Sequence, residues 1–580
     1  MKTRSFRYAF LLLALAAMMP LCIAHMQTRT TTPQPPQSEI DRRKLEELED
    51  KSEDVANGIL ELALALRDGD TKRVAEYFAD PARTTPLPSA PTDLTPHVKW
   101  VRKHGWNFEP NKTVATTRAA LAKQWDALLD NFSEVEDVRF KLRASTFDEK
   151  GRVMKATVAF WIVGRDGKGR RAWLRAAADT IFNFHTEKNV TGGILNSLSH
   201  ENGRWLIHEF AIQPINSLIA TEDLFSEVSA PAGVAAMLPA YGEAGNTGFV
   251  WRGAAAGDFN RDGWMDLIVT GATRNYLYLN DGRGRFRDSS DDAGIKLLAS
   301  GSGPLAFDYD NDGDTDIFMA NVGQQILLEN RLVPDGRLGF IDVSLESGVA
   351  VDAFGFSAAT ADVNGDGRLD IYVASYNRYG QVVPDSWFRA TNGTPNLLFI
   401  NQGNGTFREE AREWSVDDRR WSYAASFADI NGDHRPDLFV ANDFGEKGMF
   451  VNRGERFVDE AAERGLLDPG NGMGVMFGDY NNDGRLDIHA TNMSSTAGNR
   501  IVSRLFPNQG AQQNVYKKLA SGNNLFENNG DGKFSDVTAE IGGLSGMWAW
   551  GGGFIDIDCD GWEDIFTPNG FISGKSMADT

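Results

Sequence analysis

The nine residues from Asp308 to Asp316 read DYDNDGDTD, five carboxylates in one turn between the apolar flanks GPLAF and IFMANV. Left alone, carboxylates this close repel one another, and at least one is pushed toward protonation. The stretch therefore asks for a positive charge among its acids.

Repetition supplies the context. Five relatives stand along the chain: DFNRDGWMD at 258, DVNGDGRLD at 362, DINGDHRPD at 429, DYNNDGRLD at 479 and DIDCDGWED at 556. A second motif accompanies them: FSEVSAPAGV at 225, FRDSSDDAGI at 286, FIDVSLESGV at 340, FREEAREWSV at 407, FVDEAAERGL at 457 and FSDVTAEIGG at 534. In five of these six copies the Phe precedes the next acidic loop by 22 residues, and in the first by 33. A constant offset between two recurring pieces marks one structural unit, copied.

Successive acidic loops lie 50, 54, 67, 50 and 77 residues apart, so one unit needs about 50 residues and insertions account for the rest. Hairpin signatures, LYLNDGRGRF at 277, LFINQGNGTF at 398 and LFENNGDGKF at 525, are expected between units, with Asn and Gly supplying positive φ at the turn. Four short strands in a unit of this length make a propeller blade. The expected fold is mainly β, a β-propeller over residues 221–580 with six recognisable blades.

The six loops align position by position. Position 1 is Asp258, Asp308, Asp362, Asp429, Asp479 and Asp556, and position 3 is Asn260, Asp310, Asn364, Asn431, Asn481 and Asp558. Position 5 is Asp262, Asp312, Asp366, Asp433, Asp483 and Asp560, and position 9 is Asp266, Asp316, Asp370, Asp437, Asp487 and Asp564. These are hard oxygen donors, and a glycine at position 6 in five loops turns the chain so that they converge. Calcium takes six to eight oxygens and suits such a loop better than zinc, which prefers nitrogen and sulfur.

A helical EF-hand would need Glu at position 12, where this chain has Val269, Met319, Val373, Val440, Ala490 or Thr567. The loop instead runs into strand-like segments such as LIVT and IFMA. A turn rich in Asp and Gly can simply connect strands, but a turn needs no carboxylate at positions 1, 5 and 9 in all six copies. Up to six Ca²⁺ ions are expected. The fourth loop, with His434 where the others have glycine, is expected to bind most weakly. Cys559 falls at a non-ligand position, and Asp314, at position 7, is expected to offer its backbone carbonyl.

The formal net charge is -21, which argues against nucleic acid as a partner. The Asp residues at ligand positions nearly account for it, so the acidity is local to the loops. Residues 1–25 read as a secretory signal, with Lys2, Arg4 and Arg7 before the apolar run AFLLLALAAMM. That run is short for a membrane span, and no later segment approaches one. A secreted, periplasmic or cell-surface location follows. Signal removal would leave Cys559 as the sole cysteine, so calcium would brace turns that disulfides cannot.

Residues 26–39 read as a Pro/Thr/Gln linker. Residues 40–220 show helices first, near 39–79 with a break at Asp68-Gly69-Asp70 and again near Val114 to Phe132, separated by a Pro-rich loop. Strands follow, among them RVMKATVAFWIV, RAWLRAAADTIFNF and GRWLIHEFAI. This α+β order resembles the SnoaL-like cone fold, in which helices cover a bent sheet. Its histidines, His185, His200 and His208, are read as structural.

The units D-x-[DN]-x-D-G-x-x-D and N-x-L-[YF]-x-N-x-G-x-G-x-F resemble FG-GAP/VCBS repeats, and more closely the cartilage acidic protein (ASPIC/UnbV) family. The resemblance implies a calcium-binding propeller whose ligands are the Asp and Asn positions above. It also implies a further blade, so the terminal segments either complete one blade together or leave the ring open, the second reading being favoured.

Three functions remain open: a binding or adhesion module for a protein or glycan, a polysaccharide lyase or hydrolase on the same scaffold, and small-ligand binding by the N-terminal domain. No catalytic constellation can be assembled from the sequence. The insertions at 378–395 and 493–522, with Trp387, Phe388, Arg500 and Arg504, are candidate contact loops.

Overall fold

The computed structural model describes residues 42–186, 192–195, 202–223, 225–235, 253–271, 274–295, 301–378, 381–494, 511–542 and 548–569. The signal and linker expectations lie outside these residues. The chain divides into two compact units, one holding residues 31–226 with 496–517, the other 227–495 with 518–580.

The first unit opens with α1 (Arg42–Arg67), α2 (Thr71–Glu76), β1 (Phe78–Thr84), β2 (Pro91–Val98), β3 (Val101–Trp106), β4 (Val114–Thr116) and α3 (Arg118–Leu129). It continues with β5 (Phe132–Phe147), β6 (Val153–Asp166), β7 (Arg171–Thr186), β8 (Ile194–Leu195), β9 (Gly203–Ile212) and β10 (Asn216–Ala220). In α1 the residues Val55, Ile59, Leu62, Ala63 and Leu66 recur at helical spacing and are buried. The helical stretch breaks where expected: Gly69 takes φ 72° and the Asp70 side chain accepts from the Arg73 N–H to start α2.

Two expectations are corrected here. The second helix starts at Arg118 rather than Val114, because Thr117 caps it and the β-branched stretch before the cap pairs with β1 instead. The Pro-rich stretch is not a plain loop, since it contributes most of β1 and the start of β2. Proline is tolerated there because the β1 register breaks between Phe78 and Arg83, and β2 lies at an end of the sheet order. On β7 buried and half-buried positions alternate, and the buried set packs beneath α1 and α3. Phe140 and Phe160 stack at 5.1 Å, with Trp125 of α3 edge-on to Phe160.

The second unit is a propeller of antiparallel blades. Strand a of the six blades is Ala254–Gly257, Gly301–Phe307, Asp352–Ala361, Ser422–Ala428, Gly472–Gly478 and Gly553–Ile555. Strand b follows the acidic loop and starts at its position 9 in every case: Asp266–Val269, Asp316–Gln324, Asp370–Ser375, Asp437–Asn442, Asp487–Asn492 and Asp564–Phe566. Five blades add strand c, from Tyr276–Asn280 to Asn524–Asn528, and strand d, from Phe286–Asp288 to Phe534–Asp536. The a strands stand side by side in chain order.

The hairpin signature expected between units thus lies within each unit, joining strands c and d. Phe225 also departs from its five counterparts. It is exposed and starts no strand, although the turn after it packs against blade 1 through Gly233, whose φ is 84° and whose Cβ would meet the Phe286 carbonyl.

Burial decides the composition of the strands. Strand b of blades 3, 4 and 5 is buried along its whole length, so IYVA and LFVA read as continuous apolar runs rather than alternating ones, while blade 5 buries His489 with its Nδ1 3.0 Å from the Asn524 carbonyl oxygen. Neighbouring blades share cores, as where Phe318 of blade 2 meets Phe399 of blade 3 at 6.4 Å. Each such fully buried aromatic contributes about 2–3 kcal/mol.

Candidate metal centres

Each acidic loop is held by its own carboxylates accepting backbone N–H groups. In blade 2 the Asp308 Oδ1 accepts from Asp312 N at 3.2 Å and Oδ2 from Gly313 N at 2.9 Å, while Asp312 Oδ1 accepts from Asp314 N. Asp316 closes the loop, its Oδ2 accepting from Tyr309 N at 3.0 Å and its Oδ1 from Asn330 N at 2.8 Å. The position-1 pattern repeats at Asp258, Asp362, Asp429, Asp479 and Asp556.

Two residues of every loop take left-handed backbone. At position 6 these are glycines, with His434 at φ 66° in blade 4 as its place in the pattern implied. At position 4 they are Arg261, Asn311, Gly365, Gly432, Asn482 and Cys559, with φ between 55° and 74°. The second site is hidden in the sequence because four of its six residues are not glycine. Cys559 is exposed there and free.

The position-9 aspartates are the buried floor of the loops. Asp266, Asp316, Asp370, Asp437 and Asp487 are at most 1% exposed, whereas Asp564 in blade 6 is exposed. Burial pushes the Asp316 carboxyl up to about 8 and Asp370 up to about 7, with like charges in the same loop adding to it and backbone N–H donors opposing it. Asp437 and Asp487 are pushed up to about 6 for the same first reason. A cation in the loop would relieve these carboxylates.

Convergence differs among loops. Oxygens of Asp308, Asp310 and Asp316 lie within 4.8 Å of one another, as do those of Asp556, Asp558 and Asp560. Ligands on opposite sides of one Ca²⁺ sit at most about 5.2 Å apart, twice the longest usual Ca–O distance, so both sets fit that ion. Among the described residues the remaining four loops show no such three-carboxylate grouping. There position 3 is Asn; the Asn260 and Asn364 side-chain amides donate to Asp262 and Asp366. In loops 3, 4 and 5 an arginine also pairs with the position-5 carboxylate: Arg368 with Asp366, Arg435 with Asp433, Arg485 with Asp483.

The side chain of Asp314 has a partner of its own outside the loop. Its carboxylate is 2% exposed, accepts from Val333 N at 2.7 Å and is pushed up to about 6 by burial.

Of the other residues singled out, His185 and His208 stack with ring centroids 5.1 Å apart and Nε2 atoms 2.9 Å apart; His200 lies outside the described residues. Trp387 packs edge-on against Phe444, and Arg389 pairs with Glu446. Arg500 and Arg504 lie outside the described residues.

Comparison with known proteins agrees with this architecture. The family described as FG-GAP-like repeat matches residues 258–319, 308–373, 362–440, 429–490 and 516–567. Residues 258–490 and 516–567 are thus built of FG-GAP-like repeats set out as propeller blades. Its relatives are the cartilage acidic proteins: cartilage acidic protein 1 of Mus musculus and of Homo sapiens are each 30% identical over 256 residues, 41% of this chain. The match spans 39% and 38% of those proteins, respectively. A solved Agrocybe aegerita lectin, described as recognising non-reducing terminal N-acetylglucosamine, aligns over 56% of this chain and 76% of its own, at 18% identity and a TM-score of 0.32. No helix among the described residues is long and apolar enough to cross a membrane.

Proposed function

We propose that the propeller is an exported, calcium-braced module that binds a protein or glycan partner in an adhesion-type role. The observation that carries the reading is one loop made six times, with Asp at positions 1, 5 and 9 and Asp or Asn at position 3 each time, and a buried aspartate at its floor in five of them. The side chains at positions 1, 3, 5 and 9 would hold the ions. Bound Ca²⁺ would supply charge compensation and rigidity in turns that no disulfide braces.

Kinship with the cartilage acidic proteins supports the binding role, and the signal-like N-terminus supports export. Extracellular calcium modules commonly bind at about 10⁻⁴ to 10⁻³ M. Each loop filled at 100 times its Kd adds about 2.7 kcal/mol to stability.

The test is thermal unfolding of the full chain across a calcium titration, followed by glycan and protein binding with and without chelator. The expected result is a midpoint that rises with calcium and partner binding that is lost with EGTA. A midpoint unmoved up to about 10 mM calcium, well above the usual range, sinks the metal reading. Turnover of a polysaccharide by the purified protein would replace the binding role with an enzymatic one.

A further inference from the structure

Position 7 of the six loops changes in charge, holding Trp264, Asp314, Arg368, Arg435, Arg485 and Trp562. The three arginines occupy consecutive blades and share one pose. Each Nη2 donates to the outer oxygen of the position-5 aspartate, and each Nε donates to the backbone carbonyl of the last asparagine of strand c. Those carbonyls belong to Asn401, Asn452 and Asn528, at 3.4, 3.1 and 2.7 Å. The guanidinium is therefore anchored at one edge to the blade and at the other to a carboxylate of the metal loop.

Loops 1, 2 and 6 have no arginine in this place. Loops 2 and 6 also carry Asp rather than Asn at position 3, and they are the two whose carboxylates converge. Counting positions 1, 3, 5 and 9, loops 2 and 6 present four negative charges and loop 1 three. Loops 3 to 5 also present three, one of them already paired with its arginine. Calcium affinity in oxygen-donor loops is tuned by ligand charge and site rigidity.

We propose that Arg368, Arg435 and Arg485 are built-in counter-cations that divide the propeller into two classes of calcium site. Loops 2 and 6 fill first, and loops 3, 4 and 5 fill only as calcium outcompetes the guanidinium for the position-5 carboxylate. At low calcium the arginines keep blades 3 to 5 compensated, so this arc of the propeller stays folded while loops 2 and 6 require the ion. The inference rests on the calcium reading above and adds to it an order of filling.

The test is calorimetric titration of the full chain, stripped with EGTA and dialysed, with calcium alone. Wild type should give a tight class and a weak class. The variant R368Q/R435Q/R485Q should tighten the weak class roughly two- to five-fold, the range expected for partly exposed ion pairs, and leave the tight class in place. D310N/D558N should weaken the tight class and spare the weak one.

Should the triple variant fold poorly, R435Q alone should tighten one loop, with R435K falling between it and wild type. Arginine variants that lower the unfolding temperature in EGTA yet leave the calcium isotherm unchanged would make these residues structural pegs and overturn the inference. A wild type showing one uniform class would overturn it as well. Absence of any calcium binding would instead remove the metal reading beneath it.

Discussion

Asn401 of blade 3 donates its side-chain amide to the backbone carbonyl of Tyr309, inside the acidic loop of blade 2, at 2.8 Å, and to Leu369 in its own loop at 3.2 Å. Its backbone N–H meanwhile donates to the floor aspartate Asp370. One residue thus ties two acidic loops to one hairpin. Asn330, Asn452 and Asn528 repeat the link to Phe259, Val363 and Ile430 of the preceding loops.

All four asparagines are at most 3% exposed, so the carbonyl they reach would be buried without a partner if the amide were removed. Asn401→Ala should cost about 1–3 kcal/mol, the penalty for an orphaned buried polar group. Asn401→Asp should cost more, since it sets a carboxylate against two carbonyl oxygens. Urea unfolding at saturating calcium measures both, and an alanine variant within about 0.5 kcal/mol of wild type, the scatter of ordinary surface changes, would show that the link carries no weight.

Lys447 and Asp468 form a fully buried ion pair, Nζ to Oδ2 at 2.7 Å, with side chains 0% and 2% exposed. Lys447 precedes strand c of blade 4, where blades 2 and 3 have the uncharged Gln325 and Asn396. Burial raises the Asp468 carboxyl and the ammonium lowers it, with a net shift downward. Lys447→Met strands that carboxylate and should cost about 3–5 kcal/mol, whereas replacing both partners with apolar residues should recover most of it. Equal losses in the single and double variants would contradict this account.

The strand-c asparagines also mark how far the sequence could be read. Their recurrence in LYLN, LFIN and LFEN was visible, as were the loop spacing and the strand that begins at position 9. Their acceptors were not, because Phe259, Tyr309, Val363 and Ile430 offer only backbone carbonyls and lie 71 to 98 residues from the amides they bind. The arginine pairs were hidden for a related reason: position 7 is expected to serve through its backbone carbonyl, which leaves its side chain unread, and only folding brings Arg368 against Asp366 and Asn401 together. In the first unit, Pro81 and Pro91 disguised strands as loop, since proline is an honest strand breaker only away from bulges and sheet ends.

His434 sits at φ 66° where the other loops have glycine, and its N–H still donates to Asp429 Oδ2 at 2.8 Å. Left-handed backbone costs a residue with Cβ about 1–2 kcal/mol, and glycine gives back about 0.5–1 kcal/mol through its looser unfolded chain. His434→Gly should therefore stabilise the calcium-free protein by roughly 0.5–1 kcal/mol. His434→Val should destabilise it, because a β-branched side chain tolerates this region worst. Thermal unfolding in EGTA decides, and a less stable glycine variant would mean the imidazole makes a compensating contact.

Asp443, at the end of strand b in blade 4, is 5% exposed and lies among aromatic rings. Its Oδ2 accepts from the Tyr376 hydroxyl at 2.6 Å and its Oδ1 from the Asn471 amide at 3.1 Å. Burial pushes its carboxyl from 3.8 up to about 6, against the pull of those two donors. Between these values the folded state holds the proton more tightly than the unfolded chain does. The contribution of Asp443 to stability therefore falls as pH rises through that window and is constant above it. A shift of this size is worth about 3 kcal/mol. Asp443→Asn keeps an acceptor for Tyr376 and removes the titration, so the stability difference between variant and wild type should swing toward the variant as pH rises from 4 to 7. Urea unfolding at saturating calcium, which compensates the loop carboxylates, isolates the effect. A difference that stays flat across this range would place the proton elsewhere.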